Sequence, residues 1–248
     1  MGKGLFPVDY SFWVDGITDT EELFSQESPV GEATDGPVIP KLQELPLMQR
    51  RRLSRLGKIA LSTLLPLFKT HPGTESDSAF VFVSRWGDIQ LTVQSLEELT
   101  REKTISPTVF STSVHNAIGG LFSLFTQFHG NVTSLSGGAD CFGTALTEAQ
   151  ALLSEYRQVF VCIYEDQTPE VFKPYRDDFL PPFAVSVLFT QEDNDQSTIV
   201  ETAIQSPAPR TEFDELMDFL KFITDQSDTV TFSSGRTWKR TSSQAQSC

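Results

Sequence analysis

The sequence predicts an α/β domain in which a mixed or parallel sheet of five strands carries helices on both faces. Three short runs of aromatic and β-branched residues, AFVFVS (Ala79–Ser84), QVFVCIY (Gln158–Tyr164) and FAVSVLFT (Phe183–Thr190), read as strands buried on both sides. Between and around them stand longer stretches with helical periodicity. Strands and helices in alternation need crossover connections, and these lay helices over both faces of a sheet.

The elements follow in order. Residues 1–46 are rich in Pro, Gly, Glu and Asp, which predicts an extended arm with room for one strand near Tyr10–Val14. From Leu47 to Phe68, Leu53, Leu56, Ile59, Ala60 and Leu64 recur at helical spacing, with Pro66 expected to end or kink the helix. After the first buried strand, SRWGDI leads into a helix over Leu91–Arg101. Thr108–Phe128 reads as one helix weakened by Gly119 and Gly120, a pair that lets another backbone come close, and Gly130 closes it. Asn131–Ser136 is a short strand, Gly137 and Gly138 make a turn, and Ala139–Arg157 is a mostly apolar helix. EFDELMDFLKFI (Glu212–Ile223) is an amphipathic helix, and TVTFSSGRTW looks like a terminal hairpin. The folded unit is therefore expected over residues 47–240, with a loose tail at 241–248.

Composition excludes several function classes. In 248 residues, 39% hydrophobic content and 20 phenylalanines supply one substantial core. A net charge of −14 argues against nucleic acid or anionic membrane as partner, since both attract a positive face. Cys141, Cys162 and Cys248 have neither metal-ligand nor disulfide-framework spacing, so no metal, no cofactor and a reducing cytoplasm are expected. No apolar run reaches membrane-spanning length, and the N-terminus lacks the apolar core of a signal peptide.

The sharpest local feature is TSLSGGADCFGTALTEA, in which Ser136 stands at a strand-to-helix junction followed by two glycines. Such a turn can expose a nucleophile while a helix N-terminus and free backbone N–H groups stabilise negative charge. Ser and Gly are equally what an ordinary turn or N-cap uses. His115 is a candidate base or orienter, and equally a hydrogen-bonded interior histidine. Asn116 beside it serves a substrate or ties down a loop. Cys141, inside the helix, reads as a small apolar filler. Arg50, Arg51, Arg52 and Arg55 form either a dock for an acidic or phosphate-bearing partner or a solvated helix face. Arg85 and Asp88, after a buried strand, occupy a place where α/β folds put sites, or form a local ion pair.

Read together, SVHNAIGGLFSLFTQFHGNVTSLSGGADCFGTALTEA resembles the β-ketoacyl synthase stretch that carries the catalytic cysteine, with Ser136 aligned at the cysteine's position. LPLMQRRRLSRLGKIAL, VFVSRWGDI, SPTVFSTSVHNAIGG and a late GRTW, in this order, are similar to segments of short stand-alone β-ketoacyl synthase-like N-terminal domains, some called chain length factors. The similarity covers most of Leu45–Trp238.

That resemblance implies a thiolase-like half-fold and a role in building acyl or polyketide chains, for example aryl polyenes, on an acyl carrier protein. Partners would be the carrier protein, a ketosynthase subunit, or both, in a homo- or heterodimer. Full synthases add two histidines from a second half, and no histidine follows His129 here. A serine without them lacks the self-activation of a cysteine thiolate, so condensation by this chain alone is not expected. The missing half would leave apolar surface to be covered, with Asn131–Ser134 as the candidate interface strand. Phe110, Phe122, Phe125 and Phe142 would line an acyl tunnel or block it, and Gly137, Gly138 and Asn116 would lie against the ligand. Two alternatives stand beside this reading. One is a serine-dependent acyltransferase or thioesterase using Ser136 with His115; the other is an interaction module in which Ser136 is merely a cap.

Overall fold

In the computed structural model, residues 4–25, 38–175, 180–191, 198–204 and 210–241 are described. Parts of the expected arm, and all of the expected tail beyond Thr241 with Cys248, lie outside them.

Strand β2 (Ser78–Val83) reads SAFVFV, and its alternation sorts the interior by shape. Phe80 and Phe82 turn to one face of the sheet, whereas Ala79, Val81 and Val83 turn to the other. Strand β4 (Gln158–Glu165) repeats the division, with Phe160, Cys162 and Tyr164 against Val159, Val161 and Ile163. On the aromatic face Phe80 and Phe160 stack with centroids 4.7 Å apart, and Phe122 joins Phe80 at 4.6 Å. Each such pair contributes about 0.5–1.5 kcal/mol beyond the area it buries.

Strand β2 runs parallel to β4 and to β3 (Asn131–Leu135), while β5 (Phe183–Thr190) is antiparallel to β4 and to β1 (Phe6–Val14). The order is β1-β5-β4-β2-β3. This is the mixed five-stranded sheet with helices on both faces that the sequence predicts. Helices α3 (Arg55–Thr70) and α6 (Ala117–Thr126) cover the aromatic face. Helices α7 (Cys141–Leu152) and α8 (Glu212–Ile223) cover the valine face. Short helices α1 (Thr20–Phe24) and α2 (Leu47–Arg50) precede α3, and α4 (Ile89–Glu102) and α5 (Pro107–Ser113) link β2 to α6. A second, antiparallel sheet of order β6-β8-β7 comprises β6 (Thr198–Ile204), β7 (Thr229–Thr231) and β8 (Arg236–Thr241).

Three helices expected as single runs are shorter or broken. Leu47–Phe68 divides because Ser54 accepts the Gly57 N–H at 3.0 Å and caps a fresh start for α3, with Leu53 turned into the core. Pro66 does not end α3, which continues to Thr70 on the burial of Leu61, Leu64, Leu65 and Leu67. Thr108–Phe128 breaks where Val114 is extended, so His115 lies in a junction rather than on a helix. The helix expected from Ala139 starts at Cys141, capped by Asp140, and stops at Leu152.

The larger difference concerns the apolar surface expected to be left open. The valine face and α7 are covered by this chain's own C-terminal segment: Leu216, Phe219, Leu220, Phe222, Ile223, Val230, Phe232 and Trp238 are all buried in one core with α7. Burying each large apolar side chain stabilises by roughly 1.5–3 kcal/mol, so this is a substantial lid. The apolar surface left open lies elsewhere. Helix α4 buries only Ser95 and α5 buries nothing, and Leu96, Leu99, Phe110, Val114 and Leu124 are exposed along α4, α5 and α6.

Candidate functional site at the start of α7

Strand β3 delivers the chain to the carboxyl end of the sheet, where residues 136–140 turn it into α7. Gly138 takes φ +59°, and a Cβ on Gly137 would come within 2.6 Å of the Asp140 carbonyl, so the turn needs both glycines. Asp140 then closes the helix N-terminus, its carboxyl accepting the Gly143 N–H at 2.9 Å. Burial raises the Asp140 pKa, opposed by the Ser234 hydroxyl, the Gly143 N–H and Arg236. One of the donors that would stabilise an external anion therefore already faces an internal carboxyl.

Ser136 is exposed and donates its hydroxyl proton to the Arg85 carbonyl at 3.0 Å. His115 Nε2 lies 2.9 Å from the Ser84 carbonyl. A carbonyl only accepts, so Nε2 carries the proton of that bond. The two candidates thus hold consecutive carbonyls of one turn, residues 84–88, and neither bonds to the other. Further bonds fix the same turn. Ser84 N–H donates to the Leu135 carbonyl at 3.2 Å, Gly87 N–H to the Ser84 hydroxyl at 2.7 Å, and Arg85 N–H to Glu165 Oε1. Asp88 caps α4 through the Leu91 N–H, while the Arg85 guanidinium pairs with Glu212 at the start of α8 and lies 4.8 Å from the Trp86 ring centroid.

Behind the turn is a cavity lined by Arg85, Gly138, Cys141, Phe142, Ile163, Glu165, Phe183, Glu212 and Glu215, among others. The centre of a water-sized sphere can move through about 20 Å³ of it, room for one water and not for an acyl chain. Phe142 fills it from α7, packed 4.9 Å from Phe219 and 5.9 Å from Phe232. Burial pushes the Cys141 thiol up to about 12, with Glu165 adding to the rise, so it holds almost no thiolate near neutral pH. Burial likewise raises Glu165 to about 8, opposed by the Arg85 N–H, the Ser84 hydroxyl and the Arg85 charge, and its Oε2 has no hydrogen-bond partner. Glu165 was not singled out from sequence; its place at the end of a buried strand was the available signal.

Residues 24–239 match the family described as "Beta-ketoacyl synthase, N-terminal domain". The chain belongs to that family. Among solved structures, this ketosynthase-like chain is similar to one described as "Ketosynthase (ApeO) in Complex with its Chain Length Factor (ApeC) from Xenorhabdus doucetiae", at 25% identity and a TM-score of 0.79. The match covers 96% of this chain and 99% of that one. It shares its fold with "The ishigamide ketosynthase/chain length factor" (14% identity, TM-score 0.63, 82% of this chain and 69% of that one). The same holds for an acyl-carrier protein in complex with its ketosynthase, AntDE:AntF (12%, 0.63, 92% and 76%). No curated protein matches the sequence.

The remaining candidates are dispersed over the ketosynthase-like fold. Phe122 belongs to the aromatic core, Phe142 to the core across the sheet, Phe125 is half-buried and Phe110 is exposed, so the four line no common tunnel. Asn116 is exposed at the start of α6. Arg51 and Arg52 are exposed, and Arg50 donates to the Lys41 carbonyl at 3.2 Å beside exposed Leu47 and Met48. No group of three or more His, Cys, Asp or Glu suited to a metal occurs among the described residues. No described helix is long and apolar enough to cross a membrane. One surface feature went unread: from Thr104 to Ala139, through α5, α6 and β3, the chain holds no Asp, Glu, Lys or Arg, although 21% of its residues are charged.

Proposed function

We propose that the chain is a non-condensing, ketosynthase-like subunit of the chain-length-factor kind, working in the cytoplasm with a ketosynthase and an acyl carrier protein in a type II polyketide or fatty-acid pathway, such as an aryl polyene pathway. The observation that carries this reading is the closed start of α7. Asp140 occupies the helix N-terminus, the cavity beside it admits one water, and Ser136, His115 and Cys141 are each engaged or inert. The likeness to the ketosynthase and chain length factor pair supports it, because that match spans nearly all of both chains.

The ketosynthase docks, in this reading, along β3 and the uncharged face of α5 and α6. Interface cores are depleted in charge, and two copies of a chain at −14 repel one another, which favours a heterodimer over a self-pair. Arg51 and Arg52 are the surface offered to the acidic carrier protein.

Mixing the purified chain with the ketosynthases and acyl carrier proteins of its own organism tests this. Binding at micromolar concentration or tighter is expected with at least one of them, with no acyl adduct on intact-mass analysis after incubation with acyl-carrier substrate. No binding to either would sink the proposal, and an acyl adduct lost in Ser136→Ala would replace it with the serine-dependent acyltransferase or thioesterase reading.

A further inference from the structure

Gly119 and Gly120 are neighbours in α6, about 100° apart around its axis, and only the first faces the sheet. A Cβ on Gly119 would meet Val132 at 3.1 Å, Phe82 at 3.2 Å and Ser134 at 3.3 Å, so the absence of a side chain there lets α6 lie close on β2 and β3. A Cβ on Gly120 would meet nothing within 4 Å. Its backbone is not left-handed, and it lies inside a ten-residue helix where glycine is the least favoured residue apart from proline. Nothing among the described residues uses it.

Its surroundings point outward. Asn116 and Leu124, one turn to either side, are exposed, and Leu124 is 46% accessible. Gly120 lies within the stretch Thr104–Ala139 that carries no charge. Helix α6 packs on β3, whose outer edge has no strand beside it among the described residues. A partner that paired with that edge would have the exposed side of α6 next to it.

We infer that Gly120 is a contact notch, left bare so that the backbone of the ketosynthase partner can approach α6 more closely than any side chain would allow. The inference rests on the heterodimer proposed above and adds to it the residue that determines the closeness of fit. The partner it selects has an uncharged, closely approaching segment opposite α6, flanked by groups that take the Asn116 amide on one side and the Leu124 side chain on the other. A long charged side chain at that place would be excluded.

The glycine pair supplies its own control. In the isolated chain, Gly120→Ala should raise the melting temperature by about 2–4 °C, because alanine improves the helix and meets no neighbour. Gly119→Ala should lower it. With the ketosynthase, Gly120→Ala should weaken binding about tenfold and Gly120→Leu further, as read by titration calorimetry on the full-length chain. Glu21→Ala, on α1, whose Leu23 packs into the core on the opposite face of the sheet, should leave affinity unchanged.

A Gly120→Ala chain that is stabilised yet binds with unchanged affinity overturns the notch and leaves the heterodimer standing. A Gly120→Ala chain that melts earlier also overturns it, since the glycine would then serve the chain's own fold. If the wild-type chain binds no ketosynthase, or only a second copy of itself, both the heterodimer and the notch fall.

Discussion

The two edges of the five-stranded sheet are finished differently. Strand β1 carries Pro7, which has no N–H to offer, a bulge between Pro7 and Asp9, and the Asp9 carboxylate held 2.8 Å from His71. These are the devices by which proteins keep an edge strand from recruiting another. Strand β3 has none of them. It is NVTSL, in unbroken parallel register with β2, half-buried along its length and free of charge. The contrast extends to the layers behind: the valine face is closed by α8 and the small sheet, whereas α4 and α5 leave their apolar residues in solvent. An undefended edge next to exposed apolar residues on α4 and an uncharged α5 and α6 is the arrangement expected, on the function proposed above, of a protein that a partner finishes on one side.

The largest expected effect separates the closed side from the open one. Phe219→Ala, in the lid over α7, should cost about 3–5 kcal/mol in chemical denaturation, whereas Phe110→Ala on α5 should stay within about 0.5 kcal/mol. Equal losses would erase the distinction.

The closed side also has a built-in pH dependence. Glu165 has a folded pKa of about 8, above the ordinary glutamate value of 4.5. Between those values the folded chain keeps a proton that the unfolded chain has released, so stability should fall as pH rises from 4.5 toward 8 and level off above it. The loss is on the order of a few kcal/mol. Burial raises Glu215, Asp88 and Asp140 in the same direction. Glu165→Gln should flatten most of the slope in urea titrations run across this range, and an unchanged slope would remove Glu165 as its source.

Charging the two edges compares them directly. Thr133→Lys on β3 should weaken ketosynthase binding tenfold or more, about 1.4 kcal/mol, while Tyr10→Lys on β1 should not change it. The smallest effect is at the serine. Ser136→Ala removes one exposed hydrogen bond to the Arg85 carbonyl and should lower stability by about 1 kcal/mol or less.

The sequence disclosed the elements whose signals are local. FAVSVLFT and EFDELMDFLKFI have the ends read from them, Phe183–Thr190 and Glu212–Ile223, because turn residues and a Thr211 capping box with Asp214 bound them. It disclosed less where the decision is made far along the chain. The break at His115 depends on a carbonyl 31 residues upstream, and the engagement of Ser136 on one 51 residues upstream. Helix α8 was legible, but that it covers α7 was not, because an amphipathic pattern says that a face is buried and not against what. The family motifs, read for chemistry, have structural uses as well. GRTW contributes Trp238 to the core and Arg236 to an ion pair with Glu201, and VFVSRWGDI forms the end of β2, between β4 and β3, and the turn that Ser136 and His115 hold.

The pairing of β1 with β5 sets Phe6 opposite Thr190. During synthesis the first strand of the sheet must therefore wait while some 180 further residues leave the ribosome, at about 5–20 residues per second, before its neighbour exists. For on the order of ten seconds it is a nascent strand with no proper companion. Its proline and charge act over that interval too, and the edge that is guarded in the finished protein is the one that spent the longest time unpaired.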